Sequence, residues 1–254
     1  MTTSPVVIEN LGKSFYDSVR GEVRAVDSVS LECQRGEILG LLGANGAGKT
    51  TTLRILATIL TPTSGEAWVE GYSVTDESEE ARRNLGFYSG TTALYPRLTA
   101  REVLELFARL NDYPEEEVAS RCDFLIDRFA IEDYADVLID KLSTGMKQKV
   151  SVARTIAHDP PVLIFDEPTV GLDVLNAREL QNIIAELRAH DKTILFSTHI
   201  MAEAERLCDR IAIIHEGQVR ACGSLEELRV QTGHHYLEDI FVHLVAPERS
   251  RSPT

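Results

Sequence analysis

Residues 43 to 50 read Gly43-Ala44-Asn45-Gly46-Ala47-Gly48-Lys49-Thr50, a spacing of glycines, lysine and threonine suited to wrapping a row of phosphates. The glycines let the backbone curl so that successive N–H groups converge on phosphate oxygens, and a helix starting near Lys49 adds the positive end of its dipole. Lys49 then reaches the β and γ phosphates, Thr50 offers its hydroxyl to Mg2+, and Thr51, next on the helix, is counted with the nucleotide-binding residues. An incidental glycine-rich turn would match the pattern in roughly one chain in a hundred on composition. A second cluster follows the apolar run Val162-Leu163-Ile164-Phe165, which ends in Asp166-Glu167. Adjacent carboxylates at the C-terminal edge of a strand lie where open α/β sheets bind ligands. Asp166 suits the Mg2+ shell, and Glu167 suits a general base acting on water. An Asp-Glu pair by itself is more often a solvated strand end; the phosphate loop upstream reverses that reading. His199, one of seven histidines, follows the run Thr193 to Ser197 and would reach the same edge, where it could hydrogen-bond a γ-phosphate oxygen.

These residues need a sheet to carry them. Short apolar and β-branched runs at Val6 to Ile8, Ile38 to Leu42, Val162 to Phe165, Thr193 to Ser197 and Arg210 to Ile214 alternate with helix-length segments. That is the pattern of an α/β domain around a buried, largely parallel sheet. Val29 to Cys33 and Glu66 to Val69 predict flanking strands, and Val219 to Cys222 predicts one more. From about 91 to 158 the strand signal gives way to helix. Thr99-Ala100-Arg101-Glu102 has capping-box spacing, and Val103, Leu104, Phe107 and Leu110 then form one apolar face. Ser224-Leu225-Glu226-Glu227 repeats the capping box and opens a C-terminal appendage. The last eight residues, 247–254, are polar, carry one of two nearby prolines at each end, and are expected to be disordered.

The 254 residues carry a formal charge of -14 and a pI near 5.0, which disfavours a general nucleic-acid or anionic-lipid surface. An anionic ligand must be held by local geometry. No apolar run approaches the ~20 residues of a membrane span, and Met1 to Asn10 has no secretory pattern, so a cytosolic chain is expected. Cys33, Cys122, Cys208 and Cys222 make no C-x-x-C pair and predict free thiols.

From Val6 to about Leu244 the sequence resembles the ATP-binding cassette family, and Leu142-Ser143-Thr144-Gly145-Met146-Lys147-Gln148 looks like that family's signature segment. Ser143 and the N–H groups through Gly145 would open a helix whose packed face holds Met146, Val150, Ala153 and Ala157. The resemblance implies a P-loop NTPase fold with a RecA-like core, an antiparallel β subdomain and an inserted helical subdomain. It divides 1–246 into a core lobe at about 1–90 and 159–223, a helical lobe at about 91–158 and an appendage at about 224–246. It further implies ATP and Mg2+ as ligands, with Ser143 and Gly145 binding the γ-phosphate held by a second subunit's loop. Asp173, in Gly171-Leu172-Asp173, resembles the loop through which the two sites communicate. Phe15 fits the adenine-stacking position, with Tyr16 as its rival and ordinary core packing as the alternative for either ring.

Two departures stand out. Thr144 and Met146 replace the usual Gly and Gln, and Gly90 stands where the family carries a glutamine that touches Mg2+. Ser89, Thr91 or a water could substitute. Together the departures resemble the sodium-export, NatA-like branch of ABC exporters, as does Leu237-Glu238-Asp239-Ile240-Phe241. The resemblance implies an ATPase peripheral on the inner face of the cell membrane, paired with an integral membrane permease subunit and with a second copy or a related cassette. The competing readings are a soluble cassette ATPase of DNA repair or translation and a weakly hydrolysing regulatory module.

Overall fold

The computed structural model describes residues 4–19, 21–90 and 93–246. The expected disordered tail, 247–254, and Thr91 lie outside these.

The described residues form an α/β fold, as the alternation of runs predicts, with two sheets. The first is antiparallel, in the order β2-β1-β4-β5, with β1 at Val6–Asp17, β2 at Gly21–Cys33, β4 at Ser64–Val69 and β5 at Tyr72–Ser73. The second has the order β10-β9-β3-β8-β7-β6 and comprises β3 (Ile38–Leu42), β6 (Leu85–Ser89), β7 (Val162–Asp166), β8 (Thr193–Thr198), β9 (Arg210–His215) and β10 (Gln218–Gly223). Five of its strands run parallel, and β10 pairs antiparallel at the edge. β3, β7 and β8 are buried throughout, because helices pack on one face and the antiparallel sheet, with the helix that follows β3, packs on the other; this is why β3 and β7 read as apolar runs.

The helices are α1 (Lys49–Leu56), α2 (Ser78–Arg83), α3 (Ala100–Leu110), α4 (Glu115–Arg128), α5 (Thr144–Thr155), α6 (Val174–Ala189), α7 (Met201–Leu207), α8 (Leu225–Thr232) and α9 (Leu237–Val245). Both expected capping boxes form: Thr99 accepts from Glu102 N–H at the start of α3, and Ser224 accepts from Glu227 N–H at the start of α8. Val150, Ala153 and Ala157 are fully buried in the cluster that also holds Val103, Leu104 and Phe165.

Three expectations are corrected. Leu110 is 63% exposed rather than on the buried face, because α3 ends there and the chain turns away at Asn111. β1 and β2 extend well beyond the short runs at Val6 to Ile8 and Val29 to Cys33, since their outer halves pair with each other from Lys13 to Asp17 against Val26 to Gly21. Leu85 to Ser89, absent from the expected strands, is the edge strand β6. Gly86 lets it lie against α5, where a Cβ would come within 2.4 Å of the Thr155 carbonyl oxygen.

Candidate active site

Strand order brings the chemistry together. β3, β8 and β7 are neighbours and parallel, so the loops leaving their C-terminal ends share one edge. The register sets Leu42 beside Thr198 and Ser197 beside Asp166. The phosphate loop, His199 and the two carboxylates therefore emerge side by side, although the loop lies more than a hundred residues before the other groups in sequence.

The loop is shaped by its glycines. Gly46 and Gly48 have φ of 83° and 107°, a region L side chains avoid. A Cβ on Gly48 would lie 2.5 Å from the Ala25 carbonyl oxygen. Gly48→Ala is therefore expected to displace the loop, lowering stability by about 2 kcal/mol and abolishing ATP binding, measurable by thermal denaturation and calorimetric titration. Gly217 N–H donates to the Ala47 carbonyl at 2.9 Å and braces the loop from β9 and β10.

A pocket of about 320 Å3 is formed by residues 45–51 together with Ala25 and Glu167. Lys49 is 3% exposed; its Nζ donates to the carbonyls of Gly43 (2.7 Å) and Ala44 (3.2 Å) and lies 3.2 Å from Glu167 Oε1. The other Glu167 oxygen, Oε2, lies 3.3 Å from His199 Nδ1. Thr50 Oγ1 donates to Asp166 Oδ1 at 3.1 Å, and Ser197 Oγ donates to the same oxygen at 2.7 Å. Glu167 N–H donates to Ser197 Oγ (3.0 Å) and to the Ser197 carbonyl (3.2 Å), which holds Glu167 in a left-handed conformation with φ 48°. A non-glycine residue there carries backbone strain of about 1–2 kcal/mol. Ser197 thus orients the Asp166 carboxylate and fixes the backbone of Glu167. Its position at the end of an apolar strand gave no chemical signal in the sequence.

Gly43 and Ala44 line an adjoining hollow of about 310 Å3 with His199 and Phe241. Ser143 caps α5, its Oγ accepting from Met146 N–H at 3.3 Å, and Gly145 packs near Asn176. Asp173 caps α6, accepting from Leu175 N–H (3.0 Å) and Asn176 N–H (3.1 Å) and from the Asn176 side-chain amide. The Asn176 backbone N–H, then its side-chain amide, hold the Asp173 carboxyl below the ordinary range. Phe15 pairs across the sheet with Val23, is 41% exposed and has Lys13 Nζ 5.2 Å from its ring centroid; Tyr16 is 87% exposed. None of Phe15, Ser143, Gly145 and Asp173 lines the pocket that holds Lys49. Ser89 is buried and paired in register with Asp166, at the same edge, while a Cβ on Gly90 would meet nothing within 4 Å.

A glycine-rich loop on a helix N-terminus, a buried lysine and two oriented carboxylates on a parallel sheet edge define a phosphate-loop nucleoside triphosphatase. The family described as ABC transporter matches residues 26–170. The chain is 41% identical over 224 residues to the ABC transporter ATP-binding protein NatA of Bacillus subtilis, covering 88% of this chain and 91% of the relative. A solved ATP-binding subunit of an ABC transporter superposes with a TM-score of 0.85 at 34% identity, covering 95% of this chain and 99% of that one. A dimeric ATP-binding cassette, solved in a post-hydrolysis state with ADP and Pi, superposes with a TM-score of 0.78 at 28% identity over 86% of this chain and 98% of that one. This chain belongs to the ABC transporter family. It is a transporter's ATP-binding subunit and an ATPase, with the P-loop NTPase fold of the cassettes.

Proposed function

We propose that this subunit drives an exporter by closing on ATP as half of a two-cassette sandwich and reopening after hydrolysis. The observation that carries the reading is the Glu167 carboxylate, set between Lys49 and His199 and beside the Thr50–Asp166 pair. In the hydrolytic step the oxygen of a water bonds to the γ-phosphorus as the bond to the bridging β,γ-oxygen breaks. Glu167 takes the water's proton, leaving ADP and phosphate. Lys49 meets the β and γ phosphates and His199 a γ oxygen, so charge on the transferring group falls on preplaced donors.

Thr50 and Asp166 are oxygen donors in contact, the donor type a hard cation such as Mg2+ takes, and we assign them to it. Mg2+, when bound, neutralises charge on the phosphate oxygens. Ser89, in register with Asp166, is our candidate for the group that takes over from the glutamine absent at Gly90.

Ser143 and Gly145 lie outside this chain's own phosphate pocket, which supports their serving a second copy's nucleotide; the dimeric relative supports the same arrangement. We assign Asp173 to communication between the two sites and Phe15 to adenine stacking. The division into a core lobe, a helical lobe over about 91–158 and an appendage belongs to the same reading, with the helical lobe facing a membrane-spanning partner. Among the described residues no helix is long and apolar enough to cross a membrane. Export, and sodium as cargo, are supported by the Ser143-Thr144-Gly145-Met146 and Ser89-Gly90 segments and by the likeness to NatA.

The test is to tag the chain, solubilise its native membranes in mild detergent and identify stoichiometric partners by mass spectrometry. A multi-spanning protein without a cassette is expected, and flux through that complex then identifies the cargo. Recovery of ribosomes or DNA alone would overturn the export reading while leaving the ATPase chemistry intact.

A further inference from the structure

One set of buried polar side chains lies outside the hydrolytic steps. Thr198, Gln181 and Glu203 are 2%, 6% and 7% exposed. Thr198 Oγ1 donates to Glu203 Oε2 at 2.7 Å, and Gln181 Nε2 donates to Glu203 Oε1 at 3.1 Å. The Thr198 hydroxyl also accepts from Ile200 N–H at 2.9 Å. That bond spans His199: a side chain one residue before the histidine holds the amide one residue after it, closing a tight turn. The Thr198 carbonyl meanwhile accepts from Gly43 N–H at 3.4 Å, tying the turn to the phosphate loop.

The chemistry of the three groups is directional. A hydroxyl has one hydrogen to give, and an ionised carboxylate only accepts. With Glu203 taking the Thr198 hydrogen, the hydroxyl lone pairs are left for Ile200 N–H. Gln181 fills the other carboxylate oxygen from α6, the helix capped by Asp173. A carboxylate buried this far is costly unless its oxygens are satisfied, and an apolar side chain would pack the site at lower cost.

We propose that Glu203 is a positioning residue, backed by Gln181: it aims the Thr198 hydroxyl, which clamps the turn that presents His199 to Glu167. This rests on the reading of His199 as the group that meets the γ-phosphate.

The experiment is steady-state ATPase kinetics on the full chain, with ATP affinity measured separately. Thr198→Val and Glu203→Leu are expected to lower kcat by about 10- to 100-fold, the scale of a misplaced group, with KM changed by no more than about twofold. Thr198→Ser keeps the hydroxyl and should retain most of the rate. So should Glu203→Gln, because the Gln181 amide can turn its oxygen toward the new amide. On a His199→Ala background, Thr198→Val should cost no more than about a further twofold, since coupled groups are non-additive. A Thr198→Val enzyme with unchanged kcat overturns the clamp, as does a loss that repeats in full without His199. If Thr198→Val does not fold, Gln181→Leu is put through the same comparison, where a smaller fall in kcat is expected and an unchanged one overturns the proposal. A fully active His199→Ala enzyme would instead remove the reading of His199 itself.

Discussion

Glu167→Gln is expected to lower ATP turnover by about 10²- to 10⁴-fold, the usual contribution of a general base, while ATP affinity stays within about threefold. The substitution keeps shape and backbone. Ser197 still receives Glu167's N–H, and the positive φ at this residue is unchanged in kind. An amide oxygen can still accept from Lys49, which lies 3.2 Å from one carboxylate oxygen. What is lost is the ability to take a proton from water. Closure without hydrolysis should then trap ATP between two cassettes, so the variant should elute as a nucleotide-loaded dimer on size-exclusion chromatography with light scattering. Hydrolysis at the unmodified rate would show that another group is the base.

Lys49→Ala is expected to act one step earlier, on binding. The ammonium is almost wholly buried and is held by the carbonyls of Gly43 and Ala44, so it reaches the phosphate site already oriented. A charge-assisted contact to phosphate from a buried ammonium contributes about 2–4 kcal/mol, or a 30- to 1,000-fold change in Kd. Calorimetric titration with ATP should show that loss. Turnover should fall with it, because the transferring phosphoryl group also loses a preplaced cationic donor. The two variants thus separate the steps: one binds without turning over, the other scarcely binds. An unchanged ATP affinity in Lys49→Ala would remove the lysine from the phosphate site.

Much of this protein can be read from its chain, and the readable part has a common cause. The phosphate loop, the carboxylate pair and the signature segment are local patterns, in which residue type and spacing already dictate backbone shape or hydrogen-bonding capacity. Gly46 and Gly48 announce positive φ, and the capping boxes at Thr99 and Ser224 form because their partners are three residues away. Buried parallel strands such as β3 and β7 are legible for a similar reason, since burial on both faces leaves nothing but apolar residues.

The unreadable part depends on who lies beside whom. Leu85 to Ser89 shows no clear period, and only its pairing with β7 makes it a strand. Ser197 and Glu203 are an ordinary serine in an apolar strand and an ordinary glutamate on a short helix. Strand order alone sets Ser197 against Asp166 and Glu167, and only the packing of α7 against α6 puts Glu203 between Thr198 and Gln181. By itself the sequence determined which groups could hold and cleave a phosphate chain. The tertiary structure decided which of them meet and what orients them, because contacts between segments far apart in sequence arise from sheet order and helix packing, which no local spacing encodes.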